Sequence, residues 1–157
     1  MGEAEAPTDA LTQITLHEVT ADTVRAVCEL RVAPDQEGFV APNAVSIAEA
    51  HFEENAWFRA IYAGDTLVGF IMLDDDAENR KYFLWRLMIA AGHQGKGYGA
   101  GAVRRLIEYV RTRPGARELL TSYVPGKGSP EGFYRKLGIE PTGEVEDGEI
   151  TMRLHLS

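Results

Sequence analysis

Apolar positions recur along this chain in two rhythms, and each predicts its own set of elements. Val103, Leu106, Ile107 and Val110 fall at i, i+3, i+4 and i+7, one face of a 3.6-residue turn, so a helix is expected over Gly97–Arg111. Val24, Val27, Cys28 and Arg31, with Leu30 beside them, repeat the spacing and predict a helix over about Asp22–Arg31. Another starts near Asn43, with Ser46 and Glu49 in capping-box spacing as an alternative start. Glu131–Leu137 reads as a short helix. The second rhythm is extended. Ile14, Leu16 and Val19 suggest a first strand, and Trp57–Ala63 and Thr66–Leu73 two more, joined by a hairpin at Ala63-Gly64-Asp65. Tyr82–Ile89 is nearly all apolar, as expected of a central strand buried on both faces. Glu118–Tyr123 is another strand, and Asp147-Gly148 forms a tight turn between Gly143–Glu146 and Glu149–His155. Ala33–Pro42 and the acidic Asp74–Lys81 are expected loops. The order β-α-α-β-β-β-α-β-α-β-β predicts an α/β (α+β) fold, a mixed sheet of about seven strands with helices on both faces.

Composition narrows the class without naming a function. With 157 residues, 45% hydrophobic and 25% charged, the chain suits one domain, here residues 11–157 after a disordered tail over residues 1–10. No apolar run approaches the ~20 residues of a membrane helix, and the acidic start lacks a secretory core, so a cytoplasmic protein is expected. The single cysteine, Cys28, excludes an internal disulfide framework, and the four histidines lack metal-ligand spacing, so no metal is expected. A net charge of −8 disfavours nucleic acid as partner and favours a cationic small molecule through long-range steering.

Candidate chemistry concentrates between Leu84 and Gly99, where a buried strand runs into glycines at 95, 97 and 99 and then into the best-defined helix. Amides at a helix start are unpaired, the helix dipole adds partial positive charge, and glycines let that backbone approach an anion. A P-loop needs Gly-Lys followed by Ser or Thr, whereas Lys96 precedes Gly97 and Tyr98. A dinucleotide fingerprint belongs after the first strand of a βαβ unit, and this loop follows about four strands. Both rivals fail on register.

Gln94-Gly-Lys-Gly-Tyr-Gly99 resembles the pyrophosphate motif Q-x-x-G-x-G of the GNAT superfamily of N-acetyltransferases, and Ile89 stands where relatives keep a valine. Phe133-Tyr-Arg-Lys-Leu-Gly-Ile139 resembles their F-Y-x-K-x-G-F signature, with Ile139 in place of the last Phe. Motif order, separation and element order agree over nearly the whole chain after the tail. The resemblance implies the GNAT fold and acetyl-CoA as co-substrate, its acetyl group passing to a primary amine by direct attack in a ternary complex. It implies that the backbone of Leu87 and Ile89 pairs with the pantetheine arm, and that the backbone around Gln94, Gly95, Lys96, Gly97, Tyr98 and Gly99 holds the pyrophosphate. The Lys96 side chain either screens phosphate or is a solvated loop lysine. Tyr134 matches the general-acid position, where a phenol can protonate the departing thiolate; its alternative is a packing aromatic. Lys127 replaces a cofactor-contacting Asn of relatives, so that contact is not implied.

An alkylammonium near pKa ~10.4 must lose a proton before it attacks. Tyr82–Ile89, where many relatives carry a carboxylate, has none, which leaves a water chain, Glu49 or the Asp74–Asp76 segment as base. Arg86 is either an ion-paired structural residue or part of the acceptor site. Phe39–Ala50, together with Leu84–Ile89, resembles the bacterial GNAT branch often called spermine/spermidine acetyltransferase. That implies a polyamine acceptor, with Asn43, Ser46, Glu49, Asp74 and Arg86 as acceptor-site candidates, although Asn43 or Ser46 could equally cap a helix. Two other readings stand beside it: a protein N-terminal acetyltransferase, and a non-catalytic acyl-CoA-binding module, which would not need Tyr134. A homodimer is left open.

Overall fold

The computed structural model describes residues 13–157; the tail expected over residues 1–10 lies outside the described residues. The elements follow the expected order: β1 (Ile14–His17), α1 (Val24–Glu29), α2 (Asn43–Ala50), β2 (Ala56–Ala63), β3 (Thr66–Asp76), β4 (Lys81–Ile89), α3 (Tyr98–Arg111), β5 (Glu118–Tyr123), α4 (Glu131–Lys136), β6 (Glu140–Glu146) and β7 (Glu149–His155). The strands form one seven-stranded sheet in the order β1-β2-β3-β4-β5-β7-β6. Every neighbouring pair is antiparallel except β4–β5.

Alternation along the strands sorts the core into two layers. On β3, Ile71 and Leu73 belong to a cluster with Leu84, Val103, Leu106, Val110 and Met152, packed under α3 and α4. Phe70 and Met72 turn the other way, toward Val27 of α1, Met88 of β4 and the partly buried Ile47 of α2. Val103, Leu106 and Val110 are fully buried, each contributing on the order of 1.5–3 kcal/mol of transfer free energy, and this fixes the long helix α3 against the sheet.

One expected boundary moves. Asp74, Asp75 and Asp76 lie in the β3–β4 ladder, opposite Phe83, Tyr82 and Lys81, and not in a loop. The strand tolerates them because the Asp75 carboxylate accepts hydrogen bonds from the Tyr109 hydroxyl and, at 3.0 Å, from Arg113. Tyr109 also stacks on Trp57 with ring centroids 4.6 Å apart, and Tyr82 donates to the Pro114 carbonyl at 2.6 Å. The C-terminal end of α3 is thereby fastened to β2, β3 and β4, which fixes the direction in which its N-terminus points.

The joint between β4 and β5 is short. Only Phe83–Leu120 and Leu84–Thr121 are paired across it. Just beyond, Met72 opposes Arg86 while Leu73 opposes Leu84, so Trp85 is an extra residue that bends β4 away. From Trp85 to Ile89 the edge of β4 that faces β5 has no strand partner among the described residues.

Candidate active site

That opening is the floor of a cavity of about 1050 Å³, walled by Leu87 and Ile89 of β4, the start of α3, Tyr123 of β5 and Tyr134 of α4. Helix α3 meets it uncapped. Gly97 is the N-cap in the left-handed region (φ 83°), no side chain bonds the first helical amides, and the first turn carries no acid. Gly95 shares the left-handed backbone (φ 77°), so this turn is built on glycine at two points. At Gly99 the constraint is packing: an added Cβ would lie 3.2 Å from the Phe133 ring, which would have to yield by a few tenths of an ångström. The unpaired amides and the dipole of α3 make this end of the cavity suited to a pyrophosphate, and the open edge of β4 to an extended amide-bearing arm. The residues fit acetyl-CoA.

Of the loop residues singled out in the sequence, Gln94, Gly95, Gly97, Tyr98 and Gly99 line the cavity, whereas Lys96 is exposed and outside the lining. The Gln94 side chain ties the loop down, donating to the Ile89 carbonyl at 2.8 Å and to Gln36 Oε1 at 2.7 Å. Gln36 belongs to the segment that leads to α2, so one side chain fastens the loop both to the end of β4 and to the opposite wall. On that wall Phe39 lies against Gly126 and Gly128, between β5 and α4.

Tyr134 is 6% exposed, and burial pushes its phenol above the ordinary tyrosine range, with the Thr121 hydroxyl opposing the shift. It remains a neutral O–H throughout the physiological range. The acceptor-site candidates on α2 sit elsewhere. Asn43 is buried and donates to the Val27 carbonyl at 2.9 Å, joining α1 to α2. Ser46 is buried and accepts from Arg86 at 2.8 Å, and Glu49 accepts from the same guanidinium at 2.9 Å. Arg86 itself reaches the cavity, while Asn43, Ser46 and Glu49 do not line it. Arg86 is thus an ion-paired residue that also borders the cavity. Asp74, also outside the lining, has a carboxyl pushed up by burial and then by the charge of Asp76.

The carboxylates that line the cavity come largely from a part of the chain that sequence reasoning passes over. Glu146, Asp147 and Glu149, at the β6–β7 turn, all border it. Glu146 and Glu149 are directly opposed across the ladder, a like-charge juxtaposition that a cation between them would relieve. Glu149 accepts a hydrogen bond from Ser122 of β5 at 2.7 Å. The Asp147-Gly148 turn signal pairs these glutamates with each other, but nothing local places the turn at the cavity.

Comparison with known proteins agrees with this architecture. The chain matches the acetyltransferase (GNAT) family over residues 18–139. It is 27% identical over 149 residues to the spermine/spermidine N(1)-acetyltransferase of Bacillus subtilis (strain 168), covering 88% of this chain and 96% of that relative. An acetyltransferase from Thermus thermophilus superimposes with a TM-score of 0.73 at 17% identity, over 92% of this chain and 97% of the other. The spermidine N-acetyltransferase of Vibrio cholerae, solved in complex with CoA and spermine, gives 0.71 at 16% identity, over 92% and 96%. Those two likenesses speak for the fold, and the match over residues 18–139 goes further: the chain belongs to the GNAT acetyltransferase family.

Proposed function

We propose that this protein transfers the acetyl group of acetyl-CoA to a primary amine of a polyamine such as spermidine or spermine. The observation that carries the reading is a single cavity with an uncapped helix start at one end and the carboxylates of Glu146, Asp147 and Glu149 at another. The polyamine acetyltransferase relative at 27% identity supports the same class of acceptor.

Acetyl-CoA, when bound, supplies the activated acetyl thioester. The amides at Tyr98 and Gly99 hold its pyrophosphate, and the open edge of β4 around Leu87 and Ile89 aligns the arm that carries the thioester. Tyr134 keeps its proton in a buried setting and delivers it to the departing sulfur. Glu146 and Asp147 of the β6–β7 turn hold the ammonium groups that do not react, which orients a flexible chain for attack. Arg86, neutralised by Glu49, borders the acceptor side without repelling it.

An acceptor panel followed by free-thiol release tests the reading. Spermidine or spermine should exceed a neutral-flanked monoamine in kcat/KM, and the advantage should shrink as salt is raised. Efficient acetylation of a peptide α-amine with little polyamine turnover would replace the polyamine by a protein N-terminus as acceptor.

A further inference from the structure

The reading above leaves open how the reacting ammonium loses its proton, since the apolar run of β4 carries no carboxylate. We propose that Ser122 and Glu149 form the relay that takes it, an inference that rests on the amine-acetylation reading. Ser122 stands on β5, the strand that faces the unpartnered edge of β4, and both Ser122 and Glu149 line the cavity that Tyr134 enters. The Ser122 hydroxyl spends its one proton on Glu149 Oε1 at 2.7 Å, so its lone pairs are free to accept from an ammonium N–H. Antiparallel pairing of β5 with β7 sets this geometry: Ser122 lies opposite Thr151, which places Glu149 two residues along on the same face.

Other charged groups share the space and are distinguishable from the relay. Glu146 and Asp147 lie on the same turn, Lys81 is on β4, and Glu37 and His93 come from loops across the cavity. Among the described residues none of these five is held by a second side chain, whereas Glu149 is. Arg86 is already paired with Glu49. The phenols of Tyr98 and Tyr123 also border the cavity, and burial first of all pushes Tyr123 above the ordinary range, so it carries no charge at neutral pH.

The proton balance closes. The ammonium gives one proton to Ser122 Oγ as the serine proton passes to Glu149. The neutral amine then forms the C–N bond while the C–S bond breaks. Tyr134 protonates the sulfur and is restored by the second proton lost from nitrogen. The proton on Glu149 leaves to solvent, so one proton is released per turnover, as amide formation from an ammonium requires. Ser122 touches the amine in this scheme, and Glu149 acts through it as a positioning residue and proton sink.

Glu149→Gln separates this role from a structural one. Its kcat/KM for spermidine at neutral pH should fall about 10²-fold, and the deficit should narrow as pH approaches the amine's own value near ~10.4. Ser122→Ala should repeat the pH-dependent deficit, and the double variant should be no worse than Glu149→Gln alone, since the two act as one unit. Glu149→Asp should recover part of the neutral-pH rate. Calorimetry should find acetyl-CoA affinity unchanged and spermidine affinity for the CoA-saturated protein lowered about tenfold, as the carboxylate charge behind Ser122 is lost. A deficit equal at all pH values, or an acid limb that vanishes in His93→Gln instead, overturns the relay. If wild type acetylates amines and Glu149→Gln does so equally well, only the relay falls. If wild type acetylates no amine, the amine reading falls and takes the relay with it.

Discussion

Gly69 is the position where a single methyl group should do the most damage for its size. It lies on β3 opposite Ile89, the last residue of β4. A Cβ there would sit 2.3 Å from the Met88 carbonyl oxygen, 2.9 Å from Ile89 Cδ1 and 3.2 Å from Ile61 Cδ1. The two isoleucine tips can rotate aside, but the carbonyl belongs to the backbone of a central strand and must retreat by roughly 1 Å to reach ordinary contact. Overpacking of this kind costs about 1–3 kcal/mol, offset by about 0.4–1 kcal/mol from the stiffer unfolded chain. Because the obstructing atom is backbone, the upper part of that range applies, a net loss of about 1–2.6 kcal/mol; at about 2–4 °C per kcal/mol for a chain of this length, Gly69→Ala should melt roughly 2–10 °C below wild type. Because Gln94 bonds the Ile89 carbonyl, the same displacement reaches the loop at the start of α3, and acetyl-CoA affinity should fall several-fold. Gly132→Ala is the control. It is exposed on α4 with nothing within 4 Å of its added Cβ and ordinary backbone, so it should hold or raise the melting temperature by a degree or two, corresponding to about 0.5 kcal/mol. A Gly69→Ala protein that melts at or above wild type would refute the reasoning, because the contact that forces β4 to move would not exist.

Gly97→Glu should weaken acetyl-CoA at least about tenfold by calorimetry, whereas Gly97→Ala, which adds backbone strain of about 1–2 kcal/mol without charge, should weaken it less; equal losses would remove the anion from that end of the cavity. Tyr134→Phe should lower kcat on the order of 10²-fold with little change in KM for acetyl-CoA, and a variant that retains wild-type kcat when chemistry limits the rate reduces Tyr134 to a packing residue. The Tyr109 phenol is pushed up to about 12 by burial and by its bond to Asp75. A raised folded value means that its contribution is complete below the unfolded value of ~10 and is lost as pH climbs toward about 12, so wild type should lose its stability advantage over Tyr109→Phe across that window, followed by urea titration at fixed pH. An advantage that stays constant from about pH 8 to beyond the window would disconnect Tyr109 from the alkaline transition.

The element order can be read from the chain because each element is locally self-consistent. Val103, Leu106 and Val110 keep helical period and are all fully buried, and the Gly-rich turn has the backbone its composition implies. What escapes reading depends on pairing between distant segments. Asp74–Asp76 reads as a loop because three acids in succession rarely end a strand, and only Tyr109 and Arg113, far along the chain, make Asp75 tolerable there. Asn43, Ser46 and Glu49, acceptor-site candidates from the resemblance of Phe39–Ala50, lie on α2. Their side chains do not line the cavity: Asn43 donates to the Val27 carbonyl, and Ser46 and Glu49 accept from the Arg86 guanidinium, which is the one that borders it. Ser122 and Glu149, 27 residues apart, come together only through the β5–β7 ladder, which no local pattern reports.

The short joint between β4 and β5 also bears on how this protein tolerates change. The edge of β4 from Trp85 to Ile89 carries main-chain N–H and C=O groups, the Ile89 carbonyl already taken by Gln94, and those are the same whatever side chain the residue bears. A recognition surface written in backbone can drift freely in sequence, provided that the strand stays extended and proline stays out. On the proposed reading, mutational robustness at Leu87 and Ile89 should therefore be high for ligand affinity even where it is low for packing, whereas at Ser122, Tyr134 and Glu149 each exchange should change turnover. If the proposed function holds, the half of the cavity at the Gly-rich loop can be conserved in shape while its letters vary, and the half that faces the β6–β7 turn is where selection can choose a new acceptor by changing a few side chains.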